Sequence, residues 1–436
     1  MNKIFFSFFC KHRWLTILDF IVIVINLTYS LSILGNMTID KIPIRYVEFR
    51  LLLPIVICYH LRFGSRFYFW KNFGFRSRLL ILWISFLVFE AFQGLLVFNI
   101  QCCGILILLI YYFYLFEYIY SFYLRCGNEN PLVKYTSPYC IYGIYNMLIV
   151  CICAVCIGIG FFTPTDNNVS NVFPIFASNH IYKGDEYYFP GFLCIVESTY
   201  RLLVFFNIPV LDGLSYEPNS LCLSIIPSFF LSLSFLYKKK AILTFIIYLL
   251  LLATVVASTS TTAILCLFGC FFMEGLWKIV HMNNYKYLIT VMVIILVVFI
   301  YFGSVFTELS SFLADTTSSD SDSRQYSEES LIYIISPTSI LGNGILKGNL
   351  DGEALKNIDI GFISSVMLIT LYVITVIKAV KSALSGNYIY HYIGLAGLYF
   401  LMHSLKLGVR VFDFPLFYFI IVLISISDML FNNKRI

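Results

Sequence analysis

The sequence has little charge. Only 12% of its 436 residues are Asp, Glu, Lys or Arg, about half of the ~25% found in an average soluble domain. Hydrophobic residues make up 60% of the chain and aromatic residues 18%. Such a chain has too few polar side chains to cover a surface that faces water, which excludes an ordinary soluble globular protein. The composition therefore predicts a protein that lies in a lipid bilayer.

Metal-ligand spacing is also lacking. Cys102 and Cys103 are adjacent, and the six histidines are scattered along the chain. Most of the 13 cysteines lie inside apolar segments such as "CICAVC", where a thiol acts as a small hydrophobic group. Cys194 lies in a polar connection, and the sequence offers no obvious partner for it. We therefore expect neither a metal site nor a disulfide framework.

Long apolar segments dominate what the sequence does contain. A helix that crosses a bilayer needs roughly 20 mostly apolar residues, and about twelve segments approach that length. They are residues 14–34, 46–62, 79–98, 101–124, 139–162, 219–236, 241–257, 262–280, 287–303, 359–377, 388–406 and 411–428. The sequence thus predicts an all-α polytopic membrane protein, in which residues 1–436 form a single integral membrane domain.

Basic residues set the expected orientation. If the segments cross the membrane in turn, most of the 29 lysines and arginines fall on one side, which predicts that this side is the cytoplasm. Lys11 and Arg13 precede the first segment, but no small-residue cleavage site follows it, so we expect an uncleaved first span. Both termini are then cytoplasmic. The two long polar connections, residues 163–218 and 304–358, face outward.

Acidic residues also lie within the predicted spans. They are Asp19, Glu90, Glu117, Glu274 and Asp413. A carboxylate that faces lipid is costly, so these side chains are expected to point into the helix bundle or to lie at an interface. Glu274 lies one helical turn from Lys278, and the two can form an ion pair. Buried acids of this kind also suit a proton-coupled transporter, but we assign most of them to structure.

Each long outer connection carries an arginine followed by a glycine-bearing stretch. The first contains "RLLVFFNIPVLDG", from Arg201 to Gly213, and then "YEPNSLCLSIIP". The second contains "RQYSEESLIYIISPTSILGNG", from Arg324 to Gly344, and then "KGN". Between them come the run "KKK" and a hydroxyl-rich turn, "ASTSTTAI". The glycines of "LGNG" permit turns that bring backbone N–H groups near an anion.

The order of these elements resembles the superfamily of Wzy-type O-antigen polymerases and O-antigen ligases. The resemblance covers roughly residues 190–370 and rests on order and spacing. Many ligase relatives have a His-Asn pair where this chain has "NIDIG", and this departure favours the polymerase. The resemblance implies an O-antigen polymerase in the bacterial inner (plasma) membrane. Such an enzyme is a glycosyltransferase that joins oligosaccharide repeat units at the periplasmic face.

The resemblance also implies the substrates and partners. The repeat units are carried on undecaprenyl pyrophosphate, and the lipid pyrophosphate is the leaving group. Membrane lipid surrounds the enzyme, and a protein that regulates chain length is a further expected partner. The chemistry requires no metal ion, cofactor or nucleotide sugar, and nucleic acid is not expected among the partners.

A pyrophosphate leaving group gains negative charge as the glycosidic bond breaks. When no metal takes part, Arg or Lys must balance that charge, and a guanidinium group can hold two oxygens at once. We therefore expect Arg201 and Arg324 to bind pyrophosphate, with Lys347 and Arg410 as lesser candidates.

A base near the acceptor hydroxyl would also assist the transfer, and a carboxylate or an imidazole can serve. The candidates are Glu217, Asp359 and His180. Glu217 precedes Pro218 at the start of one predicted span, and Asp359 begins another. A carboxylate at the start of a helix also has a purely structural explanation, because it interacts favourably with the helix dipole.

Two alternatives remain open. An O-antigen ligase would perform the same chemistry with lipid A–core as the acceptor. A non-enzymatic flippase or exporter of lipid-linked oligosaccharide belongs to a different class and is expected to distribute cations through its central spans. Arg201 and Arg324 lie in the outer connections instead, which favours an enzyme.

Overall fold

The computed structural model describes residues 77–96, 100–125, 131–161, 186–189, 194–203, 208–215, 218–236, 241–258, 260–282, 339–342, 360–405, 411–412 and 414–433. It also describes residues 23–24, 27, 38–39 and 42–43. These residues are mostly helical, as the all-α prediction requires.

The helices of the described residues are α1 (Arg78–Leu96), α2 (Ile100–Arg125), α3 (Pro131–Gly158), α4 (Pro218–Leu236), α5 (Ala241–Ser258), α6 (Thr261–Met282), α7 (Gly361–Ala383), α8 (Tyr388–Ser404) and α9 (Pro415–Asn433). The strands are β1 (Thr38–Ile39), β2 (Ile42–Pro43), β3 (Glu186–Phe189), β4 (Cys194–Leu203) and β5 (Ile208–Gly213).

Several helices have the length and composition of membrane spans. Six in the described part of the chain are long and apolar enough to cross a membrane, namely Arg78–Leu96, Pro131–Gly158, Pro218–Leu236, Ala241–Ser258, Thr262–His281 and Gly361–Ala383. Each of the helices α1 to α9 overlaps a predicted span. The predicted spans 46–62 and 287–303 lie outside the described residues, as does most of 14–34. The total of about twelve spans therefore stays a prediction.

The chain divides into two compact units. The first comprises residues 1–76, 111–265 and 413–423, and the second comprises residues 77–110, 266–412 and 424–436. The single membrane domain expected from the sequence stays a prediction.

In the first unit, α4 is the most buried of the candidate spans and packs against α3 and α5. Buried serines recur at every fourth position of α4, at Ser220, Ser224, Ser228 and Ser232. The Ser228 and Ser232 hydroxyls donate to backbone carbonyls of the preceding turn, at 2.7 Å each, so they are satisfied without a partner on another helix. Small side chains at this spacing let a neighbouring helix approach closely.

The first unit also contains an antiparallel sheet in the strand order β3-β4-β5. It lies in the first long connection, residues 163–218, where the sequence predicted a loop between helices. Strand β5 contacts α3, α4 and α5. The sheet is therefore attached to the helices mainly through β5, and its central strand β4 also contacts α3.

The second unit contains the antiparallel pair α7 and α8, with α1 packed against α7. The Trp83 indole N–H donates to Thr375 Oγ1 at 3.1 Å across the α1–α7 contact. Gly394 of α8 lies directly against the backbone of α7, since a Cβ added there would be 2.2 Å from the Ala383 nitrogen. A glycine is required at this crossing because no side chain fits between the two backbones.

The acidic residues of the predicted spans are buried wherever the structure describes them. Glu90, Glu117 and Glu274 are at most 8% exposed, which confirms that they do not face lipid. Glu274 forms the expected ion pair with Lys278 at 2.8 Å, and it also accepts a hydrogen bond from the Tyr392 hydroxyl at 3.2 Å. Asp19 and Asp413 lie outside the described residues.

Candidate functional site

One predicted site residue, Arg201, lies on a described element. It belongs to β4, in the stretch between Glu197 and Leu202 where the pairing with β5 is irregular. Such irregularities bend a strand and redirect its side chains, and they are frequent beside functional sites. The other predicted site residues lie outside the described residues: Arg324, Lys347, Arg410, Glu217, Asp359 and His180.

The end of β5 is fixed to helix α3. Gly213 has φ of +58°, a conformation that glycine adopts without the steric cost of a side chain. The next residue, Leu214, donates its backbone N–H to Asn146 Oδ1 of α3 at 3.2 Å. The Asn146 amide in turn donates to the Tyr142 carbonyl at 3.3 Å. Asn146 thus uses both ends of its side chain to hold the turn that follows β5.

Two polar side chains are fully buried at this turn. Asp212 and Ser215 are both 0% exposed, and the Ser215 N–H donates to the Asp212 carbonyl at 2.9 Å. Burial of a carboxylate is costly, and a polar group kept in such a place at the edge of apolar helices is a candidate for function. Sequence reasoning passed over Asp212, although it lies in the "VLDG" stretch that follows Arg201.

The start of α4 meets the hydroxyl-rich turn between α5 and α6. Ser260 donates to Asn219 Oδ1 at 2.8 Å and accepts the Ala263 N–H at 3.3 Å, so it also caps the start of α6. One turn further along α4, the Cys222 sulfur lies 3.1 Å from Ser258 Oγ. We call Asn146, Asp212, Ser215, Asn219, Ser258 and Ser260 the junction cluster, because they join the sheet to the ends of the helices.

The first strand residue of β4 also contacts α3. Cys194 is fully buried, and its thiol is hydrogen-bonded to the thiol of Cys153 on α3. This hydrogen bond, together with burial, raises the pKa of Cys194 well above its usual value. The sequence offered no partner for Cys194, because Cys153 lies within an apolar span and appeared to be one of the hydrophobic cysteines.

The second long connection is attached to α7 through its backbone. The first amides of α7 donate to this segment: the Phe362 N–H to the Ser339 carbonyl at 2.8 Å, and the Ile363 N–H to the Ile340 carbonyl at 3.3 Å. The Gly342 N–H donates to Ser339 Oγ at 2.8 Å. Gly342 belongs to the "LGNG" stretch whose backbone N–H groups were expected near an anion, and its N–H is bonded within the protein instead.

The junction cluster brings together hydroxyl, amide and carboxylate groups from the middle of α3, the end of β5 and the facing ends of α4, α5 and α6. Asn146, Asp212, Ser215 and Ser258 are fully buried and Ser260 is nearly so, so these groups lie inside the protein. Within the described ranges, no group of three His, Cys, Asp or Glu residues comes together that could hold a metal ion. The arrangement therefore suits a firm attachment of the sheet that carries Arg201 to the apolar helices.

No protein-family model, no curated protein and no solved structure matches the chain. What the structure itself shows of the protein's class is a set of helices long and apolar enough to cross a membrane. A more specific assignment depends on the residues of the two long connections and of the junction cluster.

The contacts of Ser260 lead to a prediction about the thermal stability of the Ser260→Ala variant. Ser260→Ala removes the cap of α6 and the donor to Asn219, and loss of a serine cap typically costs about 1 kcal/mol. We expect the thermal unfolding midpoint of the purified protein in detergent to fall. Thr262→Ala, in the first turn of the same helix, is the control and should change the midpoint little. Equal midpoints for the two variants would contradict this role of Ser260.

Proposed function

We propose that this protein is an O-antigen polymerase of the bacterial inner membrane, which joins undecaprenyl-pyrophosphate-linked repeat units at the periplasmic face. Both termini would lie in the cytoplasm, and both long connections would lie in the periplasm. The substrates are two lipid-linked oligosaccharides whose tails stay in the bilayer. A chain-length regulator protein is the expected partner.

The observation that carries the proposal is the contact between Asn219 and Ser260. These residues belong to "EPN" and to the hydroxyl-rich turn, two of the segments on which the family resemblance rests. They are 41 residues apart in the chain, yet they share a hydrogen bond at the helix ends to which the sheet is attached. The same sheet carries Arg201. Two motifs that are separated in the sequence therefore meet in the first unit.

The reaction assigns a task to each proposed residue. The bond between the anomeric carbon of the donor and a pyrophosphate oxygen breaks, and its electron pair leaves with the lipid pyrophosphate. The acceptor hydroxyl oxygen forms the new glycosidic bond and loses its proton to a base, for which Glu217, Asp359 and His180 are the candidates. Arg201 and Arg324 balance the charge on the leaving group, assisted by Lys347 and Arg410.

The buried cluster beside β5 would support this chemistry by holding the sheet rigidly. Asn146 fixes the turn after β5 at 3.2 Å, and β5 pairs with the strand that carries Arg201. When a group that stabilises developing charge is displaced even slightly, it loses much of its contribution to the reaction rate. A rigid attachment to α3 therefore suits a strand that positions a cation.

The test is complementation in the host bacterium. Deletion of the gene is expected to leave lipid A–core that carries a single repeat unit, visible on a lipopolysaccharide gel as loss of the ladder. Wild-type protein should restore the ladder, and Arg201→Ala should not, because removal of one charge-stabilising donor typically lowers the rate about 10²–10³-fold. Arg201→Lys keeps the charge but loses bidentate binding, so we expect a ladder of reduced length and intensity.

The control variant is Arg78→Ala, which removes an exposed arginine at the start of α1. It should restore the ladder fully, and immunoblots of membranes must show equal amounts of every variant. Loss of all repeat units from the core in the deletion strain would instead identify a ligase or a flippase. A ladder that survives the deletion would refute the family assignment.

A further inference from the structure

We propose that Cys153 and Cys194 form a disulfide that links helix α3 to strand β4. Both cysteines are in the thiol form in this structure, and both are 0% exposed. The inference goes beyond the proposed glycosyl transfer but depends on the same outward placement of the first long connection.

The contact between the two cysteines is part of a continuous packing surface. Asn146, Val150 and Cys153 recur at helical spacing along one side of α3. A Cβ added to Gly213 would lie 3.2 Å from Asn146 Oδ1 and 3.2 Å from Val150 Cγ2, so this side of α3 faces the end of β5. The register pairs Gly213 with Ile195, the residue after Cys194. Cys194 is therefore brought to Cys153 by the backbone pairing of β4 with β5.

The Cys194 thiol has neighbours on two elements. The Gly213 backbone of β5 and the Cys153 side chain of α3 both lie next to it. The sulfur thus has one neighbour from the sheet and one from the helix. To form a disulfide the two sulfurs must close from hydrogen-bond distance to about 2.0 Å. Both residues lie within elements that already contact each other.

The proposed location of the first long connection, outside the inner membrane, supplies the oxidising conditions that a disulfide requires. The space outside the inner membrane is oxidising, and thiols that meet there during folding are converted to disulfides. In the reaction, one thiol exchanges with the disulfide of a protein thiol oxidase and the second thiol displaces the oxidase from the mixed disulfide. The two cysteines lose two protons and two electrons, and the oxidase disulfide is reduced to a dithiol.

The bond would have to form before the sheet packs against α3. In the folded protein Cys194 is fully buried and its pKa is raised, first by the hydrogen bond with Cys153 and then by burial. A protonated, buried thiol reacts slowly with an external oxidant. The crosslink is therefore a product of folding in the outer compartment, and it holds the first residue of the strand that carries Arg201.

Differential alkylation of the full-length protein tests the crosslink. Membranes are quenched in acid and denatured in N-ethylmaleimide, so that every free thiol is labelled. The protein is then reduced, and the newly released thiols receive an isotopically heavy N-ethylmaleimide. Mass spectrometry should find heavy label on Cys153 and Cys194. Cys222, which is equally buried but lies beside a serine hydroxyl, should carry the light label.

Two variants test whether Cys153 is the disulfide partner of Cys194. In Cys153→Ser, Cys194 should carry the light label, because its partner has been removed. In Cys222→Ser, both Cys153 and Cys194 should still carry the heavy label. Light label on both cysteines in the wild-type protein would overturn the proposal, and so would heavy label on Cys194 in Cys153→Ser. The test does not use ladder formation as its readout, so its outcome is independent of whether the protein is a polymerase.

Discussion

Gly394→Ala is expected to prevent the accumulation of folded protein. The added Cβ would lie 2.2 Å from the Ala383 nitrogen, 2.6 Å from the Ala383 Cα and 2.7 Å from the Ala379 carbonyl oxygen. All three atoms belong to the backbone of α7, so no side-chain rotation can relieve the overlap. Insertion of one methyl group into a packed core typically costs 1–3 kcal/mol, and we expect more than about 3 kcal/mol here because two helices must separate. The yield of monodisperse protein in detergent measures the effect.

Two other glycines of the second unit provide matched controls. A Cβ on Gly397 would approach the end of the Ile424 side chain, at 2.8 Å from its Cδ1, and a side chain of this kind can move. A Cβ on Gly269 would meet the Met402 side chain at 3.6 Å, an ordinary contact. We expect yields in the order Gly269→Ala, Gly397→Ala, Gly394→Ala, from highest to lowest. Similar yields for the three variants would show that α7 and α8 are not in backbone contact at Gly394.

Gly143→Ala is expected to destabilise the contact between α3 and α4, and a second substitution should restore it. The new Cβ would lie 1.6 Å from Ser228 Oγ and 2.6 Å from Ser228 Cβ. Because both atoms belong to one side chain, Ser228→Gly removes the overlap completely. The single variant should lose about 1–3 kcal/mol. The double variant should recover most of this loss, less the cost of about 1 kcal/mol for a glycine inside a helix.

A double-mutant cycle measures this compensation. Thermal unfolding midpoints of the wild type, both single variants and the double variant in the same detergent give the coupling between the two positions. We expect Ser228→Gly alone to lower the midpoint slightly and to raise it in the background of Gly143→Ala. Additive effects would mean that the two residues do not touch. The Ser228→Ala variant is a useful control, because its remaining Cβ should rescue Gly143→Ala only in part.

The apolar pattern of the sequence was a good guide to the helices but not to their ends. Helix α3 begins at Pro131, ahead of the predicted start at residue 139, because the polar stretch with Lys134 and Pro138 hid its first two turns. Proline is favoured at the first position of a helix. Helix α7 continues to Ala383, beyond the predicted end at residue 377. Its Lys378 lies next to Asp428 in an ion pair, so this charge does not end the helix.

The sheet could have been recognised from composition. Strands β3 and β4 are rich in Tyr, Phe, Val and Ile, residue types that favour strands. They are too short and too polar to register in a search for segments of about 20 apolar residues. The expectation of helices joined by loops therefore omitted the element that carries Arg201.

The contacts that build the candidate site could not have been predicted from the sequence. Asn219 and Ser260 are far apart in the chain, and neither is exceptional in its local context. Asp212 is notable because it is buried, and burial depends on how β5 packs against three helices. Cys153 and Cys194 lie in segments of opposite character, one apolar and one polar. Tertiary packing alone reveals these relationships.

The attachment of residues 339–342 to α7 bears on how freely the sequence of this segment can vary. Ser339 and Ile340 hold α7 through their carbonyl oxygens, and every residue type has a carbonyl. Few positions in this attachment depend on their side chains, among them the glycines with positive φ, Gly342 and Gly361. Ile340 and Leu341, whose side chains are exposed, can therefore change without releasing the start of the helix. Such an attachment lets the sequence of residues 339–342 diverge during evolution while the first turn of α7 keeps its place.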